Sequence, residues 1–314
     1  MTELLFFEPV FKERIWGGTK LTSFGYEISS DQTGECWAFA AHTHGQSVVK
    51  NGKYKGLTLG ELWRKNRAVF GDLDGDCFPL LTKILDANQD LSVQVHPNDE
   101  YANIHENGEF GKTECWYVID CEENAEIIYG HHAKTKKEFM SMVEEEEWDK
   151  LLHRVRVKPG DFFYVPSGTV HAIGKGILIL ETQQNSDTTY RLYDYNRTDS
   201  EGNPRELHLE KSVEVTEIPY TSNKLTVQQE KIHDLSVTTF IECPYFSVQK
   251  WLLNGKTSLK QQKPFLLVSV IDGKGSLISG GNTYFFKKGD HFLVPNDFEE
   301  YQLVGNAECI VSSL

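Results

Sequence analysis

The sequence predicts a mainly β protein made of two related sheet-rich barrels, with a few helices packed on the first. Three observations carry that expectation. Short runs of β-branched and aromatic residues recur along the chain, punctuated by Gly, Pro, Asn and Asp. Helix-start signals are few. A string of the form K-x-G-D-x-F-x-V-P occurs twice, at 158–166 and 287–295, and a Gly-Asp turn feeding a strand that ends at Pro is a natural hairpin element. The length of 314 residues suits about two domains at ~150 residues each, and 39% hydrophobic with 25% charged residues is a globular composition.

From the amino end, the first helix signal is Thr58-Leu59-Gly60-Glu61, a capping box followed by Leu62, Trp63, Val69 and Phe70. Strands are predicted at 91–96, 115–119, 126–129, 162–165 and 177–181. A helical piece is expected to start at Pro97, because proline is tolerated in a first turn. A second capping box, Thr135-Lys136-Lys137-Glu138, opens a helix through Phe139, Met142 and Val143 to Leu151 and Leu152. The glutamates at 144–147 inside it read as a solvated helix face, since four consecutive side chains point around a helix and cannot converge on a cation. Pro219, Ser222 and Asn223 break the pattern at 219–224. Strands resume at 246–253, 265–271, 285–286 and 292–294. The break divides the chain into 1–224, with the candidate chemistry, and 225–314, a second β domain; each holds one copy of the repeat.

Composition excludes several roles. The most apolar stretch, 265–271, is far short of the ~20 residues a membrane helix needs. Glu3, Glu8, Lys12, Glu13 and Arg14 interrupt the amino-terminal segment, so no signal peptide is predicted. A net charge of −14 repels phosphate backbones, which makes nucleic acid a poor partner; a small phosphate ester would need a local basic pocket. Six scattered cysteines without a C-x-x-C pair point to free thiols in a reducing cytoplasm. The sequence leaves the oligomeric state open, a monomer included.

The first copy of the repeat continues to His171, completing G-x5-P-x-G-x2-H from Gly160. This string resembles the second motif of the cupin superfamily, whose small double-sheet barrel holds a metal inside, and the resemblance implies an inward-pointing ligand at His171. An earlier strand should supply more. Gln94 and His96 are two apart and share a strand face. Many cupins have His where Gln94 stands, which leaves the amide as a fourth ligand or a substrate contact. Two carboxylates compete for the remaining place. Glu100 lies four beyond His96, as in the first cupin motif, but after Pro97 the chain is expected to leave the barrel. Glu114, opening the next strand, is the better candidate. The repeat offset carries His171 onto Glu300 and Gly168 onto Asp297, so the second barrel is expected to hold no metal.

Other histidines rank lower. His42 and His44 form an H-x-H expected on one strand face, with no carboxylate at cupin spacing. His131 and His132 are expected in solvent beside a turn. Trp16-Gly17-Gly18 reads equally as a substrate-side loop or as a packed tryptophan beside a glycine turn.

Four further strings, PLLTKILDA from Pro79, LSVQVHPNDE from Leu91, GKTECWYV from Gly111 and NSDTTYRLYDYNR from Asn185, resemble in order the signatures of class I phosphomannose isomerases. The match spans roughly residues 9–215. The short interval from Glu114 to His171 leaves no room for the helical insertion of longer members, so the chain resembles the short bacterial branch. The resemblance implies a zinc enzyme interconverting mannose 6-phosphate and fructose 6-phosphate. One zinc is expected on His96, Glu114 and His171, with Gln94 a ligand in some members. It also brings Lys83, Lys112, Asp187 and Arg191 towards the metal. Arg191 is the residue expected to act in catalysis or substrate orientation, and Asp187 and Lys112 are acid–base candidates. By sequence alone Lys83, on the apolar stretch 80–85, could equally be an edge-strand lysine at the surface. No Gly-rich phosphate loop exists in the chain, so a cluster of this kind must hold the substrate phosphate.

A zinc with two His and one Glu keeps open positions and can polarise a carbonyl while a base reaches the C1/C2 proton. Two rivals share the barrel: a non-haem metal oxygenase, whose facial triad also uses two His and a carboxylate, and a non-catalytic sugar-binding cupin. Lys112 two before Glu114, and Asp187 with Arg191, fit a sugar-phosphate isomerase and have no evident task in an oxygenase, while the complete ligand set argues against a binding module, which has no need of an open metal.

Overall fold

The computed structural model describes residues 3–198 and 202–314. A six-stranded sheet runs in the order Phe162–Val165, Glu114–Cys121, Ile177–Gln184, Leu80–Ala87, Thr33–Phe39, Val10–Gly18. It faces a five-stranded sheet ordered Leu152–Arg156, Glu126–His131, His171–Ala172, Val93–Val95, Tyr190–Tyr193. Neighbouring strands are antiparallel, as expected of a barrel and not of a parallel α/β sheet.

The period of two sorts each central strand. On Leu80–Ala87, Leu80 and Ile84 turn outward, while Lys83 and Leu85 turn into the barrel. Trp16, Leu85, Trp116, Val118, Ile127 and Ile179 fill one end of the interior. Lys83, Glu114 and Glu181 occupy the other, each buried. Lys83 is thus no surface lysine: its strand is flanked on both sides by Ile177–Gln184 and Thr33–Phe39.

Helices cover the outside of the five-stranded sheet. Phe139 and Val143 pack with Val93, Val95, Ile128 and Leu192, together with Val213 of the helix Leu209–Val215, which no sequence signal announced. Thr135 caps the helix Lys136–Glu144 by accepting from the Glu138 amide at 3.2 Å, but the Glu138 carboxylate takes the Lys134 amide, so the reciprocal half of the box is missing. That helix ends at Glu144. Glu146 adopts φ 54°, and a separate turn, Trp148–Leu151, follows. The redirection lets Trp148 stack on Tyr193 at 4.4 Å and sends Leu151 into the core, which one continuous helix would not do. The glutamates are solvated at a break more than along a face. The Thr58 box is complete, opening Leu59–Lys65. The helix expected from Pro97 is Asp99–His105, capped by Asn98.

A third large sheet has nine strands: Gln228–Ile232, Leu235–Glu242, Ser247–Lys260, Glu300–Ser313, Leu266–Ser279, His291–Val294, Leu5–Glu8, Val48–Val49, with Asn282–Lys287 paired on Leu266–Ser279. It curls around Leu235, Trp251, Val268, Phe292, Tyr301 and Leu303. The amino-terminal strand enters this sheet, Leu5 opposite Leu293. A shared core joins the barrels, with Leu80, Ile84, Tyr117 and Leu180 of one against Phe246, Phe265, Leu267 and Ile310 of the other. Polar contacts cross it too: the Tyr117 hydroxyl donates to Glu308 at 2.6 Å, and Thr182 meets Ser312 at 2.9 Å. Buried His291 bonds Tyr26 at 2.7 Å and Ser269 at 2.9 Å.

The repeated string builds the same turn twice. Gly160 (φ 92°) and Gly289 (φ 88°) take a left-handed conformation that favours glycine. The following Asp161 and Asp290 accept the amides of Lys158 and Lys287 at 2.9 and 2.8 Å. Position 300, aligned with His171, is an exposed glutamate paired with Lys260. No helix among the described residues is long and apolar enough to cross a membrane.

Candidate metal centre and substrate cavity

Two rows of facing residues make the site. Across the six-stranded sheet, register aligns Trp37, Lys83, Glu181 and Trp116. Across the five-stranded sheet it aligns His171, Gln94 and Arg191. Cross-strand neighbours on one face stand close enough to interact, so residues scattered from 37 to 191 converge on one volume.

At its base His96, Glu114 and His171 form a fully buried cluster whose ligand atoms lie within 4.8 Å of one another. Glu114 opens its strand and reaches both rings, Oε2 to His96 Nε2 at 3.4 Å and Oε1 to His171 Nε2 at 3.3 Å. His171 Nδ1 donates to the Thr169 carbonyl at 2.8 Å, which leaves the Nε2 lone pair facing the cluster. The Gly168 amide donates to the His96 carbonyl at 2.9 Å and so ties the two ligand-bearing segments together. The Gln94 amide sits 3.3 Å from His171 Nε2. Glu100 is exposed in the first turn of Asp99–His105, away from this cluster.

Glu114 Oε1 and His96 Nδ1 have no hydrogen bond, and the one cationic donor beside Glu114 Oε2 is Lys112 Nζ at 3.1 Å. A buried carboxylate with one oxygen left unpartnered is costly. A divalent cation between Glu114 and two imidazole lone pairs removes that cost, and two His with one Glu is a donor set suited to zinc. The residues fit such an ion. Burial pushes the Glu114 pKa up, but Lys112, His96 and His171 outweigh it and hold the group well below the usual carboxylate range. Burial, then Lys112, drives His96 down to about 3, and burial lowers His171.

A cavity of about 410 Å³ opens above the cluster, within the ~300–1,000 Å³ usual for small-molecule sites. Gln94, Lys112, Lys83, Glu181, Asp187 and Arg191 line it. Lys112 joins cavity to cluster, its Nζ 3.1 Å from both Glu114 Oε2 and His96 Nε2. Burial alone would lower the Lys112 pKa; Glu114, Glu181 and Asp187 reverse that and keep it raised. Lys83 Nζ lies 3.6 Å from Glu181 and 5.0 Å from the Trp37 ring centroid. Asp187 is brought down to about 2 against the effect of burial, by Lys83 and by its bond to His44. Arg191 bonds Ser92 at 3.3 Å and the Glu206 carbonyl at 2.7 Å. Arg205 also lines the cavity and forks onto Asp194. A larger open groove of about 800 Å³ on the second sheet, beside Phe285, is lined by Lys274, Lys287 and Asp290 among apolar and glycine residues and has no cluster of this kind.

Sequence reasoning missed Glu181, the one charge at the end of an Ile-Leu-Ile-Leu run. Burial first, then the like charge of Glu114, raises its pKa to about 7 against Lys112 and Lys83. The signal was the one that marked Lys83, a lone charge in a central strand. Glu35 was missed too: it accepts from Arg14 and Trp37 and lines the cavity. Trp16 is both packed and cavity-lining. His131 is buried, not solvated as expected, because the Glu217 carbonyl bonds its Nε2 at 2.9 Å. His42 and His44 do not share a strand face. His42 ends Ala41–His42, His44 sits in the following turn, and Asp187, 143 residues on, is the carboxylate their local sequence lacks.

A barrel of facing antiparallel sheets with a His–Glu–His cluster at the base of a polar cavity defines a protein of the cupin class. The family described as "Phosphomannose isomerase type I, catalytic domain" matches residues 4–123, and "Mannose-6-phosphate isomerase, cupin domain" matches 236–314. The mannose-6-phosphate isomerase ManA of Bacillus subtilis is 71% identical over 313 residues, covering 100% of this chain and 99% of that protein. The mannose-6-phosphate isomerase of Streptococcus mutans is 52% identical over 99% of this chain and 98% of its own. A crystal structure of the mannose 6-phosphate isomerase from Bacillus subtilis superposes with a TM-score of 0.98 at 52% identity, covering 100% of both chains. The chain belongs to the type I mannose-6-phosphate isomerases.

Proposed function

We propose that the protein interconverts mannose 6-phosphate and fructose 6-phosphate with one zinc ion held by His96, Glu114, His171 and the amide oxygen of Gln94. The observation that carries this reading is the buried Glu114 carboxylate, its Oε1 without a hydrogen bond, between two imidazole lone pairs at the base of a cavity with cationic walls. The ion, when bound, supplies Lewis-acid polarisation of the sugar carbonyl.

The chain's own residues do the rest. Arg191 has no ion pair to a carboxylate among the described residues, and with Ser92 and Arg205 it offers a cationic wall for the substrate phosphate. Lys112 and Lys83 donate towards the oxygens on C1 and C2, where negative charge develops as the proton moves between those carbons. Glu181, with a pKa near 7, can both take and return that proton. Asp187, held as a carboxylate, orients Lys83 and the sugar hydroxyls. Segment 1–224 carries all of this, and 225–314 closes the first barrel through the shared core. Six free cysteines support a reducing compartment, the cytoplasm.

Metal content and turnover measured on the same preparations test the proposal, with chelation as a control. His96→Ala, Glu114→Ala and His171→Ala should lose both zinc and activity. Arg191→Ala should keep zinc and lose about a hundredfold or more in turnover, as for other removed transition-state donors. A His171→Ala protein with full zinc and normal turnover would overturn it.

A further inference from the structure

Tyr190–Tyr193 is the edge strand of the five-stranded sheet, so among the described residues one side of its backbone faces no strand. Segment 205–208 covers that side. The Arg191 amide donates to His208 Nδ1 at 3.2 Å, and the His208 amide donates back to the Arg191 carbonyl at 2.8 Å. The Arg191 guanidinium donates to the Glu206 carbonyl at 2.7 Å, and Arg205 forks onto Asp194, three residues on. The ladder is bulged at this point, with Arg191 opposite Gln94 but Tyr193 opposite Val93. A bulge re-aims the side chains beside it, and here one histidine holds both backbone groups of the re-aimed residue.

The place of that histidine in its own element is a second, independent observation. His208 is the N-cap residue of Leu209–Val215, where Ser, Thr, Asp and Asn are favoured because their side-chain oxygens accept an amide of the first turn. The His208 side chain makes no such bond. Since Nδ1 accepts from Arg191, the proton of the neutral ring sits on Nε2, 3.9 Å from the Glu206 carboxylate. The one acceptor of the ring thus serves Arg191 and not the helix that His208 opens. We propose that His208 is a positioning residue for the isomerase, fixing Arg191 in the bulged edge strand so that its guanidinium faces the cavity. His208 does not itself line that cavity, so it acts through Arg191. The inference rests on the isomerase reading, in which Arg191 faces the substrate phosphate.

Two replacements test it. Asn and Ser are both favoured N-caps, so neither takes a cap from the helix. Asn Oδ1 stands as many bonds from Cα as His Nδ1, whereas Ser Oγ stands one fewer and falls short of the Arg191 amide. kcat, KM and thermal midpoint are measured on the zinc-loaded full chain for His208→Ser, His208→Asn, Arg191→Ala and the double variant His208→Ser/Arg191→Ala. His208→Ser should lose about tenfold in kcat/KM, the scale of one lost hydrogen bond, without a lower midpoint. His208→Asn should recover most of that loss. In the Arg191→Ala background His208→Ser should cost nothing further, because residues acting through one another are not additive. Parental kcat/KM in His208→Ser, or an equal loss in both backgrounds, overturns the proposal. A midpoint that falls with activity in His208→Ser, with no recovery in His208→Asn, makes the contact structural and equally overturns it. Parental kcat/KM in Arg191→Ala is a different failure: it overturns the role given to Arg191 in the isomerase reading, and this proposal only through that role.

Discussion

Lys83 and Glu181 face each other across adjacent strands, and the environment of the pair sets which of them can move a proton. Burial and the charge of Glu114 lift Glu181 to about 7, while its partner stands 3.6 Å away over the Trp37 ring. A carboxyl whose pKa is raised on folding binds its proton more tightly in the native state. Its stabilising contribution is therefore complete below about 4.5 and lost as pH rises through about 7. Glu181→Gln keeps the neutral form at every pH, so its thermal midpoint relative to the parent should rise between pH 5 and pH 8, while turnover falls by about a hundredfold or more. Equal pH dependence of the two midpoints would refute the raised pKa. Lys83→Ala should lose turnover and keep zinc, since Lys83 has no contact with the metal cluster; an unchanged turnover would return it to a structural role. Both residues were visible as lone charges in apolar runs, but only the register showed that they form a pair.

At the scale of elements, the turn 166–170 decides where His171 points. Gly168 has φ 85°, a Cβ there would come within 3.0 Å of the Val215 carbonyl, and its amide holds the His96 carbonyl. Gly168→Ala should cost about 1–2 kcal/mol in a denaturant titration, from left-handed strain, and should lower zinc content by tilting both ligands. A variant with unchanged stability and full zinc would show that the turn is not what seats them. Such turns were legible because Gly, Asp and Pro announce them locally, and the strand 162–165 matched its predicted limits for the same reason. Leu209–Val215 was not legible. It has no side-chain cap and follows a region without apolar periodicity, and its helical state comes from packing against the five-stranded sheet. The break at Glu146 was hidden likewise, since tertiary contacts of Trp148 and Leu151 outrank local helix propensity.

For the whole molecule, the junction of the two barrels contains a titratable group with no part in the chemistry. Burial drives His291 down to about 3, and its ring is bonded on both nitrogens, to Tyr26 and Ser269. Unfolded, the same histidine titrates near 6.5. Its contribution to stability is present above about 6.5 and is lost as pH falls towards 3, at about 1.4 kcal/mol per pH unit. The thermal midpoint should therefore drop steadily below pH 6.5, and His291→Gln should flatten that decline even if it lowers the midpoint at pH 8. A decline of unchanged slope would exclude His291 as its source. The repeated string foretold two barrels. It could not foretell the seam, because Tyr26 and His291 stand 265 positions apart and meet only once the chain between them is folded.

The strand Leu5–Glu8 leaves the ribosome well before its partner His291–Val294, which lies far along the chain. At ~5–20 residues per second, synthesis keeps them apart for roughly a quarter of a minute to a minute. During that time Leu4, Leu5, Phe6 and Phe7 form an apolar strand with nothing to pair with on one edge, which is the pattern that invites intermolecular sheet formation. Chains stalled or cut before residue 291 keep that edge open indefinitely. Nascent-chain crowding, and the holdase capacity of the host cell, should therefore govern yield more strongly than the stability of the finished protein.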